Sequence, residues 1–276
     1  MTTGGPAVRP EPDPSRATPE VVPPAMFDVA AEAYDRFMGR YSALLAQQLA
    51  DLAGVEAGLQ VLDVGCGPGA LIAELVGRVG ADAVAAVDPS EPFVAAAGAR
   101  HPGVTVLRAS AERLPFPDGA FDVALAQLVV HFMADPVAGL REMARVTVHG
   151  GIVAACVWDH GSGQGPLSTF WAAARTLDPD VDDESRLAGA QQGHLAELFR
   201  VAGLRDVEEA TLSVGLEHPT FEEWWEPFTR GVGPAGSYAA GLDADLRATL
   251  RERCRDLLPP APFTITARAW AVRGSA

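Results

Sequence analysis

The chain has 276 residues, 48% hydrophobic and 21% charged, enough apolar material to bury a core in one domain or at most two. Its formal charge of −15 offers no basic face for nucleic acid, where phosphate binding must release counterions. All 21 Lys+Arg residues are arginine, and the absence of lysine excludes Schiff-base catalysis, a P-loop Gly-Lys-[Ser/Thr] and a Tyr-x-x-x-Lys dehydrogenase pair.

Asparagine is absent too, so an Asn-Pro-Pro-Tyr signature of amide or exocyclic-amine methylation cannot occur. Cys66, Cys156 and Cys254 are widely spaced and form no CxxC pair, which argues against a disulfide framework and a zinc site. No apolar run is long enough to span a bilayer, and residues 1–25 lack the apolar core of a signal peptide. The expectation is a reduced, cytoplasmic protein with no membrane partner and no metal.

Residues 1–25 are proline-rich and nearly free of large apolar side chains, and read as a disordered tail. A single domain is expected over 26–276. Phe27, Ala31, Tyr34, Met38, Tyr41, Leu45 and Leu49 recur at helical spacing, so 26–52 reads as amphipathic helix, with Gly39 a candidate break. From Val61 strands and helices alternate. "QVLDVG" is a buried strand, followed by a helix over Ala70–Val79. "AVAAVD" is a second strand ending at Asp88, and a helix begins with Glu91 and Pro92. "VTVLRAS" and "FDVALAQ" are the third and fourth strands. A helix starts after Asp135 with proline at its first position, and "GGIVAACVWD" is the fifth strand. Such alternation predicts an α/β fold, a doubly wound, mostly parallel sheet with helices on both faces.

Beyond residue 160 the rhythm changes. "GHLAELFRVAGL" reads as a helix, and "VEEATLSVGLEH" and "FTITARAW" as strands with a helical, aromatic-rich excursion over about 219–260 between them. This pattern predicts an antiparallel C-terminal edge and a helical cap inserted between its two members.

The candidate site begins at "VLDVGCGPGA", whose Gly65, Gly67 and Gly69 alternate after a strand end. In an open parallel sheet ligands bind at the C-terminal ends of the strands. Asp88 closes the second strand 19 residues after Gly69, about where a dinucleotide-type fold places an acid on ribose hydroxyls. A strand, a glycine loop, a helix and a second strand ending in an acid argue for a ribose-bearing ligand. The spacing is G-x-G-x-G, not the G-x-G-x-x-G of a pyrophosphate cradle, and Asp63 places a carboxylate just upstream. That charge disfavours a pyrophosphate and suits a ligand with an ammonium and a sulfonium.

Together "VLDVGCGPG", "VDPS", "ASAERLPFPDGAFDVALAQ" and "REMARVTVHGGIV" resemble the successive motifs of class I S-adenosylmethionine-dependent methyltransferases. The small-molecule branch, similar to enzymes of ubiquinone and menaquinone biosynthesis, resembles the chain most over about 27–160. The resemblance implies a Rossmann-like seven-stranded sheet and S-adenosylmethionine as cofactor. It puts Asp63, Gly65, Cys66, Gly67 and Gly69 around the methionine moiety and Asp88 on the ribose hydroxyls, with Pro89 beside it. Ser110, Ala111 and Glu112 fall at the adenine, and Gln127 near the sulfonium. Many members carry Asp where this chain has Ser110. "YDRFMGRYS" looks like the family's lid, with Tyr34 closing on the ligand and Arg40 pairing the methionine carboxylate.

His131, four residues past Gln127, is the candidate general base, because histidine titrates near neutrality; His160, after Trp158, is a weaker candidate. Phe221, Trp224, Trp225 and Phe228 fall on one helix face. They are expected either to pack a core or, with Trp158, to wall an apolar or aromatic acceptor. Two other readings remain at this level: a nicotinamide-dependent oxidoreductase on a similar sheet, and an S-adenosylmethionine-binding protein that does not methylate.

Overall fold

The computed structural model of the chain describes residues 11, 12 and 31–276; the expected proline-rich tail over 1–25 falls almost wholly outside them. Seven strands form one sheet: β1 (Val61–Val64), β2 (Val84–Asp88), β3 (Thr105–Arg108), β4 (Phe121–Gln127), β5 (Thr147–Trp158), β6 (Arg205–His218) and β7 (Phe263–Ser275). Their order is β3-β2-β1-β4-β5-β7-β6. The first five are parallel, and β7 runs antiparallel to both β5 and β6. The antiparallel strand therefore sits one place in from the edge, and β6 forms the edge itself. Strand order reverses between β1 and β4, which opens the crevice where ligands bind in such sheets.

Alternation along the strands sends successive side chains to opposite faces. Val61, Val84, Ala86, Val123, Leu125 and Ala154 belong to one buried cluster. It includes Leu45 and Leu49 of α2 (Arg40–Leu52) and Leu71, Ile72 and Leu75 of α3 (Ala70–Val79). Leu62, Val64, Ala85, Val87, Ala124 and Val153 belong to the other. It is completed by Leu140 and Met143 of α5 (Pro136–Val146) and by Leu195 and Phe199 of α7 (His194–Ala202). Because both faces are covered, the central strands read as continuous apolar runs. Asp135 caps α5, accepting from the Ala138 N–H at 3.0 Å, with Pro136 at the first helical position. The helix α4 (Glu91–Arg100) follows β2.

Two departures from the sequence pattern matter for the site. Gly39 does not break the N-terminal helix. After α1 (Ala31–Tyr34) the chain makes a π-helical turn over Asp35–Gly39 and continues directly into α2. The segment after β5 contains a further helix, α6 (Ser168–Leu177), and a 3₁₀ turn over Glu184–Arg186. The excursion between β6 and β7 is helical as expected: α8 (Phe221–Trp225), α9 (Gly233–Gly241) and α10 (Ala244–Leu257). No helix among the described residues is long and apolar enough to cross a membrane.

Candidate active site

A cavity of about 690 Å³ lies along the C-terminal ends of the parallel strands. Gly65 and Gly67 line it from the loop after β1, Asp88, Pro89 and Ser90 from the end of β2, and Ser110, Ala111 and Glu112 from the segment after β3. Gln127, Leu128, Val129 and His131 line it after β4, and Trp158 at the end of β5. Tyr34 of α1, Leu167 before α6, Glu184 of the 3₁₀ turn and residues 232–235 at the start of α9 line it as well. Since β3 and β5 are four strand positions apart, the lining spans roughly 19 Å at ~4.8 Å per step. The space is elongated enough for two molecules placed end to end.

The loop geometry explains its glycines. Gly65 has φ +74°, and a Cβ there would stand 2.5 Å from the Val129 side chain, so the β1 and β4 loops close on each other only without one. Gly67 has φ +52° and faces open space. Its N–H donates to Asp88 Oδ2 at 2.8 Å, while the Ser90 N–H donates to Asp88 Oδ1 at 2.8 Å. Asp88 thus joins two loops and keeps a second lone pair free on each oxygen. Burial pushes its carboxyl up to about 6 against the opposing effect of those two N–H groups. After β4, Leu128 adopts φ +62°, a left-handed conformation rarely taken by branched side chains, held by its N–H donating to Cys156 O at 2.9 Å.

Three buried acceptor atoms in this region have no donor: both oxygens of Asp63, two residues before Gly65, and Oε1 of Gln127. Asp63 is 1% exposed, and burial, with Asp88 nearby, raises its carboxyl well above the usual carboxylate range. Gln127 is oriented by its Nε2, which donates to Ser42 O at 3.0 Å. His131 is 7% exposed with its Nδ1 unpartnered, and burial, reinforced by His160, holds it well below the usual histidine value.

Residues 62–155 match the family model described as "Methyltransferase domain". The chain is similar to a demethylmenaquinone methyltransferase of Mycolicibacterium vanbaalenii, 34% identical over 170 residues, covering 57% of this chain and 73% of that one. It is also similar to a malonyl-[acyl-carrier protein] O-methyltransferase of Erwinia billingiae, 35% identical over 127 residues and 46% of this chain, and spans about half (49%) of that relative's length. A crystal structure of the YcgJ protein from Bacillus shares the fold, with a TM-score of 0.55, 18% identity and coverage of 86% of this chain and 98% of that one. The chain belongs to the S-adenosylmethionine-dependent methyltransferases. The nicotinamide reading finds no support among these relatives.

The donor-poor acceptors fit the cofactor of this methyltransferase family. S-Adenosylmethionine carries an ammonium and two ribose hydroxyls, donors of the kind that the Asp63 oxygens and Gln127 Oε1 lack and that Asp88 has room to accept beside its two backbone N–H groups. Among the expected cofactor residues, Tyr34, Gly65, Gly67, Asp88, Pro89, Ser110, Ala111, Glu112 and Gln127 line the methyltransferase cavity. Tyr34 meets Phe93 edge to face at 5.4 Å.

Other expected residues lie elsewhere. Arg40 is not at the cavity: beyond the π-helical turn it faces the β6–α8 corner, where it pairs with Glu223 at 2.9 Å and donates to Glu217 O at 3.2 Å. Cys66 is buried, with Sγ 3.5 Å from Gly67 O, and does not line the wall. Gly69 ends the loop against His101, whose ring a Cβ would meet at 2.6 Å. Trp224, Trp225 and Phe228 do not wall the large cavity either. They pack inward, Phe228 stacking on Phe170 of α6 at 4.5 Å and meeting Phe37 at 5.1 Å. Trp158 alone of the expected acceptor residues lines it.

Glu184 gave no signal in the sequence, since it falls in an acidic stretch without periodicity. It is nonetheless 4% exposed and lines the wall.

Proposed function

We propose that this methyltransferase alkylates a small apolar or aromatic molecule, bound between the β4–β5 loops and the cap, by in-line displacement. The observation that carries this reading is the elongated cavity, which Asp88 and Gln127 line at the ends of β2 and β4 and Trp158, Leu167 and residues 232–235 wall with apolar surface. Ligand cavities of roughly 300–1,000 Å³ are the usual scale for small molecules. S-Adenosylmethionine, when bound, supplies a methyl group on an already activated sulfonium, so the protein's main task is alignment.

In this reading Asp88 takes the ribose hydroxyls with its free lone pairs, and Asp63 takes the ammonium. Ser110, Ala111 and Glu112 border the adenine. Tyr34 roofs the cofactor end, and Gln127 Oε1 faces the transferring centre. His131, kept neutral by burial, hydrogen-bonds the acceptor and orients it; its lowered basicity makes it a weak sink for a proton. The similarity to a demethylmenaquinone methyltransferase supports a flat, apolar acceptor. The acidic charge of the chain disfavours nucleic-acid substrates. Three buried free thiols agree with a reducing compartment, which supports the cytoplasm.

The test is calorimetric titration of S-adenosylhomocysteine into the protein and into Asp88→Ala. Micromolar binding that the variant loses supports the reading; equal binding by both removes Asp88 from it.

A further inference from the structure

Glu184 is a buried carboxyl on the cavity wall, and the cofactor-binding residues leave it unused. The element that carries it is built to hold it there. Asp183 caps the 3₁₀ turn, accepting from the Ser185 N–H at 2.9 Å, and is itself paired with Arg175 of α6. Trp171 of α6 donates its indole N–H to Glu184 Oε2 at 2.8 Å. The other oxygen, Oε1, stands 3.9 Å from Nε2 of His160, which is buried and has no hydrogen-bond partner. Glu184 therefore presents one fixed oxygen and one that its neighbours leave unsatisfied. His160 in turn lies beside His131, with ring centroids 6.3 Å apart.

From this arrangement, and resting on the methyltransferase reading above, we infer that Glu184 binds the reacting hydroxyl of the acceptor and takes its proton, which makes the substrate a hydroxyl-bearing apolar molecule. The charges that bear on the carboxyl agree. Burial pushes Glu184 up to about 7, with the Trp171 N–H opposing and Asp183 reinforcing. Burial lowers His160 to about 4, so the imidazole facing Glu184 is neutral at pH 7. Arg175 is engaged by Asp183. A buried carboxyl with one donor and no cation is poised to gain a proton, whereas holding a permanent ammonium would require desolvating a second charge beside it.

The step balances. The acceptor's O–H bond breaks and its proton passes to the Glu184 carboxylate. The oxygen's lone pair forms the new C–O bond as the donor's S–C bond breaks. A carboxylate and a sulfonium become a neutral acid and a neutral thioether. Glu184 is thereby a catalytic residue; Trp171 and His160 are positioning residues that act through it.

The experiment uses the full chain saturated with S-adenosylhomocysteine and three probes of one shape: 2-naphthol, its methyl ether 2-methoxynaphthalene, and 2-naphthylmethylammonium. Affinities are measured by calorimetry at pH 6 and pH 8. A hydroxyl donor prefers the ionised carboxylate, so naphthol should bind up to about tenfold tighter at pH 8 than at pH 6, the ionised fraction of a group titrating near 7 rising by that factor. The ether should show no such change, and Glu184→Gln should abolish the rise. Trp171→Phe removes the N–H that favours the carboxylate, and should move the rise to higher pH; it keeps the test available should Glu184→Gln fold poorly. A pH-independent naphthol affinity, tighter binding of the ammonium, or no binding of any probe overturns the inference. If S-adenosylhomocysteine still binds in that case, the methyltransferase reading stands; if it fails to bind, that reading falls instead.

Discussion

The backbone N–H of Gly67 donates to Asp88 Oδ2 at 2.8 Å, so the glycine loop and the acid that ends β2 form one unit. Each Asp88 oxygen carries one backbone N–H and has room for one more donor. On the proposed reading, Asp88→Ala removes two ligand hydrogen bonds to a charged group and also releases the loop. The affinity for S-adenosylhomocysteine should fall by about 100-fold or more, since hydrogen bonds to charged groups are worth about 1.5–3 kcal/mol each. Calorimetry reads the loss directly.

Ligand binding should also depend on pH through the same residue. With its carboxyl near 6, Asp88 is ionised at pH 7.5 and largely protonated at pH 5. A protonated oxygen has one acceptor site fewer, so cofactor affinity should decline as pH falls through about 6. In Asp88→Asn the decline with that midpoint should vanish. A wild-type affinity that stays level from pH 7.5 to pH 5 would contradict the assignment.

On the proposed reading, Asp63 trades stability for binding. Its two oxygens are buried without donors, and its folded-state value is raised well above that of the unfolded chain. The sign follows from linkage: the unfolded chain releases this proton near pH 4 while the folded state retains it, so stability falls as pH rises above that point. Asp63→Asn removes the titration. The ligand-free variant should match wild type near pH 4 and melt above it at pH 8, by about 3 °C for each kcal/mol relieved. Its cofactor affinity should drop. Thermal melts at the two pH values, with and without S-adenosylhomocysteine, separate the two effects.

His131→Ala should leave S-adenosylhomocysteine affinity within about twofold while turnover with an accepted substrate falls by about 10- to 100-fold, the scale of a lost orienting contact. Unchanged turnover would remove His131 from the acceptor site.

The aromatic face of the cap should behave as core. Phe170 is fully buried and stacks on Phe228 with an interplanar angle of 4°. Phe170→Ala should cost about 3–5 kcal/mol and lower the melting temperature by about 10 °C. Loss of acceptor binding with an unchanged melting temperature would instead make this face a wall of the site.

The sheet and the cofactor end were legible because the physics that shapes them is local. β1, β2 and β4 are buried on both faces, so they appear as apolar runs whose ends fix Asp63, Asp88 and Gln127 to within a residue. Gly65 and Gly67 mark positive φ, which glycine advertises. The acceptor end was much less legible. Helical spacing brings Phe221, Trp224, Trp225 and Phe228 to one face, but a face packed on Phe170 and a face lining a cavity have the same period. Arg40 looked available for a carboxylate because its partners, Glu223 and the Glu217 carbonyl, are 177 residues or more away in sequence. Glu184 owes its burial to Trp171 and the cap, and nothing in its neighbours Asp182, Asp183 and Ser185 distinguishes it from a solvated acidic turn. Leu128 adopts a conformation that its residue type opposes, so no propensity could have announced it.

The most direct test of the central claim is calorimetric titration of the purified full chain with S-adenosylmethionine and S-adenosylhomocysteine, alongside NAD and NADP under the same conditions. The account predicts one site per chain with micromolar affinity for the two adenosyl ligands, about −8 kcal/mol, and no heat from the dinucleotides. Saturable binding of a dinucleotide, with none of either adenosyl ligand at millimolar concentration, would contradict it.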